Sequence, residues 1–272
     1  MIKLVASDLD GTLLNSKKEL SDTIVSVIQN LEEKGVHFAA ASGRRRDNLE
    51  KFFAPLKIAS VSDNGGTAYD EDGNLLYVAA IDYSVARPAL VKADSLPYSH
   101  LVICGVGHVY VLADETPEHK AFTEFCFPGA VVYIHDFSEA WEDDQITKIS
   151  LSTGRDGSNE DDAFEVMKQF DGFTCCLSGD GWVDLMKEGV DKGGTFKKLC
   201  QHYGLTMEET MAFGDYDNDY GMLIATPNSY AMKNAYPSIK AICNYETQYT
   251  NEEDGVSREL VRIFDLPMEE MA

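Results

Sequence analysis

Asp8-Leu9-Asp10-Gly11-Thr12 follows an apolar run, Ile2, Leu4, Val5 and Ala6, and precedes the pair Leu13-Leu14. A buried strand that ends in two acids, then glycine, then a hydroxyl puts unlike chemistry on a single turn. Such a turn can hold a divalent cation, bring backbone N–H groups close to an anion and offer a carboxylate as nucleophile. These are the parts of a phosphate-transferring centre. A plain strand with an Asp-Gly turn would carry the same five residues, so the reading depends on what the chain places at its other strand ends.

Residues 1–82 alternate strand and helix, which predicts a parallel sheet covered on both faces. Ser21 can cap a helix whose apolar residues Ile24, Val27, Ile28 and Leu31 recur at three and four, and Gly35 can end it. A short strand over 37–41 runs into Ser42-Gly43-Arg44, and the next helix, over 47–53, stops near Pro55. A third strand, 58–62, ends in Asp63-Asn64-Gly65-Gly66, and segments 67–69 and 75–78 read as a hairpin.

The rhythm changes over 83–189. Helices are expected at 84–95, near 118–126 and at 161–170. Strands are expected at 101–104, 109–112 and 146–152, and 173–178 pairs with 182–187 about Gly179-Asp180-Gly181. Hairpins mixed with helices predict a separate α+β layer with a mostly antiparallel sheet, inserted into the first domain. The stretch 128–144 carries no clear pattern. From Asp191 the strand and helix alternation returns, with a helix over 195–203, a strand over 210–213 that delivers Gly214-Asp215, a helix over 219–224, a strand over 230–232 and a closing helix over 257–264. The acidic run 250–254 reads either as a solvated loop or as the rim of a site.

A length of 272 residues with 44% hydrophobic content suffices for real cores. Against 46 acids stand 23 lysines and arginines, a formal charge of −23 that repels nucleic acid and anionic membrane surfaces. The same field repels a phosphorylated metabolite, so a phosphate site here needs local cations such as Mg²⁺ and Lys192. Six cysteines without a C-x-x-C pair read as reduced, mostly core thiols. No charged and apolar leader precedes the first strand, and the cytoplasm is the expected location. The six histidines form no H-x-x-x-H pair, which gives a zinc site little support.

Asp8-Leu9-Asp10-Gly11-Thr12-Leu13-Leu14, Ala41-Ser42-Gly43-Arg44, Asp191-Lys192-Gly193 and Gly214-Asp215-Tyr216-Asp217-Asn218-Asp219 resemble, in order, the four signature motifs of the haloacid dehalogenase superfamily, and within it the Cof-type phosphatases. The resemblance implies an α/β fold: a doubly wound, Rossmann-like core of residues 1–82 and 190–272, and an inserted α+β cap of the C2B type, 83–189, that sets substrate specificity. It implies that Asp8 is the nucleophile that forms an aspartyl-phosphate. Asp10 would be the acid that protonates the leaving oxygen and then the base that activates water. For Asp10 to start protonated, neighbouring carboxylates must raise its pKa. Ser42 would donate to the phosphoryl group. Lys192 stands at a helix start, where the dipole disfavours a cation, a cost explained if it pairs with Asp8 and the phosphate.

By the same resemblance Gly11, Thr12, Gly43, Arg44, Asn64 and Asn218 surround the substrate phosphate. Mg²⁺ is expected on Asp8, the backbone carbonyl of Asp10, and Asp215, with Asp219 a ligand through water or an orienter. Asn234 is expected near the metal loop and Asp217 on the surface. In the cap, Trp182, His108, Tyr110 and Arg155 are candidates for a pocket, although aromatic residues in hairpins serve cross-strand packing as often. The implied activity is a Mg²⁺-dependent phosphatase of small phosphorylated metabolites, sugar phosphates first, acting as a monomer or small homo-oligomer. The alternative is a phosphomutase of the phosphomannomutase type. A receiver-like signalling module would need a much shorter chain without an insert.

Overall fold

The computed structural model describes residues 1–153, 159–178 and 181–267. The chain begins with β1 (Leu4–Ser7), α1 (Asp22–Glu33), β2 (His37–Ala41), α2 (Arg46–Phe53), β3 (Ala59–Ser62), β4 (Thr67–Tyr69) and β5 (Leu75–Val78). Ser21 caps α1 by accepting from the amide of Ile24 at 3.1 Å, and Ile24, Val27, Ile28 and Leu31 form its buried stripe, as their spacing predicts. β1 is buried along its whole length. A strand hydrophobic on both faces is what a parallel sheet covered by helices requires.

The chain then builds a second unit from α3 (Tyr83–Asp94), β6 (His100–Gly105), β7 (Val109–Leu112), α4 (Pro117–Cys126), β8 (Val131–Ile134), α5 (Phe137–Asp143), β9 (Ile146–Ser152), α6 (Glu160–Met167), β10 (Phe173–Leu177) and β11 (Trp182–Lys187). Its sheet runs β10-β11-β9-β6-β7-β8. The first four pairings are antiparallel and the last, β7 with β8, is parallel. A parallel pair needs a crossover, and α4 supplies it. β8 and α5 occupy the stretch whose sequence pattern was silent. β8 is only four residues long and half exposed, while α5 starts on a capping box in which Asp136 and Glu139 satisfy each other's backbone amides. Its Asp-x-x-Glu signature was present in the sequence. Trp182 stacks on Phe122 with centroids 5.8 Å apart, and Tyr110 is buried with its hydroxyl donating to Asp143 at 2.7 Å. Both therefore serve packing within this unit. Arg155 lies outside the described residues.

The return brings α7 (Lys192–His202), β12 (Thr210–Gly214), α8 (Tyr220–Ala225), β13 (Ser229–Ala231), α9 (Pro237–Lys240), β14 (Tyr245–Glu246) and α10 (Gly255–Phe264). Together the first and last segments make an eight-stranded sheet, β14-β13-β12-β1-β2-β3-β4-β5. From β14 to β3 every pairing is parallel, and β4 runs antiparallel to β3. The chain divides into Met1–Tyr77 with Asp191–Ala272, and Val78–Val190. The first junction falls five residues before the expected 82/83, because Ile81 is already bonded within the second unit: its amide donates to Ile146 at 2.8 Å and its carbonyl accepts from the Trp141 indole at 2.7 Å. Of the six cysteines only Cys104 and Cys200 are buried and the rest are half-buried, so "mostly core" overstates them. Among the described residues no helix is long and apolar enough to cross a membrane.

Candidate active site

β1 lies between β2 and β12, where the strand order reverses direction along the chain, and all three are parallel. Their carboxyl ends therefore open on one side, the place where ligands bind in sheets of this kind. Asp8 follows β1, Ser42 follows β2, Asn64 follows β3 and Asp215 follows β12.

Lys192 ties this side together. Its ammonium donates to Oδ1 of Asp8 and to Oδ1 of Asp219, each at 2.7 Å, and the side chain is wholly buried. α7 begins at Lys192 itself, three residues before the sequence suggested, capped by Asp191, which accepts from the amide of Gly194. The lysine reaches the site because α7 and α8 approach closely. A Cβ on Gly193 would lie 2.1 Å from the backbone carbon of Gly221, so no other residue fits there without a shift. Asp219 turns its other oxygen back to the amide of Asp215 at 3.0 Å, and Asp215 accepts from the Thr12 hydroxyl at 2.9 Å. Gly11 has φ +81°, and a Cβ there would sit 2.4 Å from Oδ2 of Asp215. Glycine thus allows both the left-handed turn and the approach of the two loops.

The charges do not balance. Asp8, Asp215 and Asp219 place carboxylate oxygens within 4.8 Å of one another, and Lys192 is the cation paired among them. Burial and then the nearby Asp219 push the Asp8 carboxyl well up, against the pull of Lys192. Asp215 is pushed up to about 7 by burial and Asp219, against the Thr12 hydrogen bond. Burial disfavours the Lys192 charge, but Asp219 and Asp8 outweigh it and hold the ammonium above the usual lysine range. Three hard oxygen ligands in a surplus of negative charge fit a divalent cation.

Asp10 departs from expectation. Its carboxylate is clamped by Arg44, whose Nε and Nη2 each donate at 2.8 Å, and by Lys18 at 2.8 Å. Burial works upward on this carboxyl, yet Arg44 and then Lys18 prevail and take it down to about 2. The expected crowding by carboxylates is therefore corrected: two cations flank Asp10. Lys18 is a site neighbour that the sequence reading missed, and nothing in its local pattern singles it out.

The remaining residues form a third group. The Ser42 hydroxyl oxygen accepts from the amide of Arg44 at 3.2 Å. Asn64, held in the left-handed region at φ 53°, accepts from Asn218 at 3.1 Å, joining the end of β3 to the loop after β12. A Cβ on Gly43 would press on the Asn64 amide at 3.0 Å. Asn234 donates to the carbonyl of Gly11 at 2.7 Å and accepts from the amide of Asn251. Asp217 is exposed and accepts from Ser238. The 250–254 segment straps the chain just after the first motif: Asn251 donates to the carbonyl of Leu14 and Glu252 accepts from the amide of Ser16 at 2.6 Å.

Residues 5–260 match the model of the haloacid dehalogenase-like hydrolases. The chain is 28% identical to the phosphatase YwpJ of Bacillus subtilis, over 94% of this chain and 98% of that one. It is 27% identical to the 5-amino-6-(5-phospho-D-ribitylamino)uracil phosphatase YbjI of Escherichia coli, over 93% of each. Its structure resembles that of a haloacid dehalogenase-like hydrolase from B. subtilis with a TM-score of 0.81 at 26% identity, covering 95% of this chain and 99% of the other. The chain belongs to the haloacid dehalogenase-like hydrolases, and within them it is a Cof-type phosphoric monoester hydrolase.

Proposed function

We propose that the protein is a Mg²⁺-dependent phosphatase of small phosphorylated metabolites, sugar and polyol phosphates first, working through an aspartyl-phosphate on Asp8. The observation that carries this reading is the buried Lys192 joining Asp8 to Asp219 beside Asp215, one cation among three acids at the end of β1. Asp8, Asp215 and Asp219 would hold the metal, which when bound neutralises phosphate charge and orients the phosphoryl group. The Asp8 carboxylate attacks phosphorus and the bond to the ester oxygen breaks, while Asp10 gives that oxygen a proton. Water then attacks the acyl phosphate as Asp10 takes up its proton, and inorganic phosphate leaves with Asp8 restored. Lys192 aims Asp8 and pulls it toward the ionised form, a pull that the bound metal would complete, and Ser42 donates a hydrogen bond to the phosphoryl oxygens.

The Arg44 clamp adds a step. Asp10 gains a proton only once Arg44 and Lys18 turn from it to another anion, and the substrate phosphate is such an anion. In the same reading residues 78–190 act as the cap that selects among leaving groups. The E. coli relative is named for a substrate with a phosphorylated ribityl chain, which supports polyol phosphates as substrates here.

The test is free phosphate released from a panel of sugar phosphates, ribityl phosphates and nucleotides, with Mg²⁺ or with chelator. Wild type is expected to release phosphate only with Mg²⁺, and Asp8→Asn to lose about 10⁴-fold or more in kcat. Release that survives Asp8→Asn would end the reading.

A further inference from the structure

The second unit holds another cluster of metal-ligating atoms, and its members are far apart in sequence. His100 opens β6, whereas Glu115 and His119 flank the start of α4. A ring nitrogen of each histidine and a carboxylate oxygen lie within 4.8 Å of one another, and the two imidazoles stack with centroids 4.4 Å apart. We propose that His100, Glu115 and His119 bind a borderline transition-metal ion of the Zn²⁺ class, pinning the first residue of β6 to the first turn of α4.

The hydrogen bonds around His100 carry the argument. The single proton of the Thr123 hydroxyl goes to the carbonyl of His119 at 3.0 Å. Thr123 therefore accepts at its oxygen from Nε2 of His100, 2.7 Å away. With the proton on Nε2, the neutral ring presents a lone pair at Nδ1. His100 is 2% exposed, and this Nδ1 is 2.9 Å from Oε2 of Glu115 yet makes no hydrogen bond. A buried lone pair beside a carboxylate oxygen is an orphaned arrangement, and a cation shared by the two atoms resolves it. His119 meets the same oxygen at 2.7 Å, through a proton that a metal would replace.

The donor set decides the class of ion. Two imidazole nitrogens and one carboxylate make the three-protein-ligand set of zinc sites that keep a position for water. Imidazole ligands suit zinc and its neighbours, and Mg²⁺ prefers oxygen. The bond from His100 to Thr123 is the outer-shell contact that fixes a ligating ring. Ligands of a tetrahedral ion at about 2.0–2.1 Å stand roughly 3.3 Å apart, so the two contacts to Glu115 must open by about half an ångström, and the His119 ring must turn out of its stack on His100 so that both in-plane lone pairs meet at the ion. The His119 and Glu115 side chains are 42% and 23% exposed, which gives them that freedom and the ion an entry.

The test uses the full chain in excess Mg²⁺, so that the carboxylate cluster of the first unit is satisfied, with Zn²⁺ titrated against a chromophoric chelator and Co²⁺ added as a spectroscopic probe. Wild type is expected to bind one equivalent of zinc at this site and to give Co²⁺ the intense visible bands of a low-coordinate nitrogen and oxygen site. His119→Gln and Glu115→Gln should each weaken zinc binding by about 10–100-fold and abolish the bands, and Thr123→Val should weaken it about tenfold. Replacing buried His100 threatens the fold, so the exposed His119 carries the test. Equal zinc affinity in wild type and His119→Gln, or a wild-type Co²⁺ spectrum no different from the hydrated ion, would overturn the proposal.

Discussion

Among the described residues each unit buries a lysine against carboxylate, and the two arrangements have opposite meanings. In the second unit Lys148 meets Asp184 at 3.3 Å, and Ser150 and Ser178 each donate to that carboxylate at 2.6 Å. This ammonium meets a carboxylate whose oxygens also receive hydroxyl protons, the form in which a buried pair is tolerated as structure. In the first unit Lys192 faces Asp8 and Asp219, with Asp215 beside them, and the acids remain in surplus. A fold that needed only an ion pair there would not bury two further carboxylates. In the proposed function this surplus is where a cation and a phosphate are received.

The largest effect expected from this contrast comes from removing each lysine. Lys192→Met and Lys148→Met should each cost about 3–5 kcal/mol in chemical unfolding, since each strands buried carboxylate. Only Lys192→Met should also lose activity per folded molecule, and only its stability should be partly restored by Mg²⁺. Equal recovery of both variants with Mg²⁺ would break the contrast.

The residues that follow β1, β2, β3 and β12 were legible because parallel strands all present their carboxyl ends on one side, which gathers Asp8, Ser42, Asn64 and Asp215 there, whereas Lys192 comes in at the start of α7. What was hidden depended on approaches between segments distant in sequence. Nothing near Lys18 announces that it reaches Asp10. The need for glycine at 193 is visible only once Gly221 stands against it. The Asp10 expectation of crowding carboxylates came from the proton-donating role that the resemblance implies, whereas the side chain meets Arg44 and Lys18, which lie elsewhere in the sequence. Similarly, His100 and His119 lie on separate elements, and no local spacing could have joined them.

A smaller effect follows from protonation. In chelator the folded chain keeps the Asp215 proton up to about pH 7, while the unfolded chain releases it near the ordinary value of about 3.9. This group's contribution is fully present below pH 4 and is lost as pH rises toward 7, so stability should fall over that window. Asp215→Asn should flatten the slope in urea unfolding measured at several pH values. A slope unchanged by the substitution would assign the repulsion elsewhere.

The smallest effect concerns the clamp on Asp10. Arg44→Gln removes two charge-assisted hydrogen bonds, and the Asp10 carboxyl should rise from about 2 toward the ordinary range. Carbon NMR of labelled aspartate would follow the titration. Since Arg44 also meets the substrate phosphate in the proposed mechanism, KM should rise roughly tenfold or more. An unchanged KM would confine Arg44 to holding Asp10.

If the surplus acid at Asp8, Asp215 and Asp219 is a seat for Mg²⁺, thermal unfolding of wild type and Asp215→Asn across a Mg²⁺ titration will show it. Mg²⁺ is expected to stabilise wild type, by about 2.7 kcal/mol at a hundred times its Kd, and to leave Asp215→Asn nearly unmoved. The same stabilisation in both proteins, or none in wild type, would contradict it.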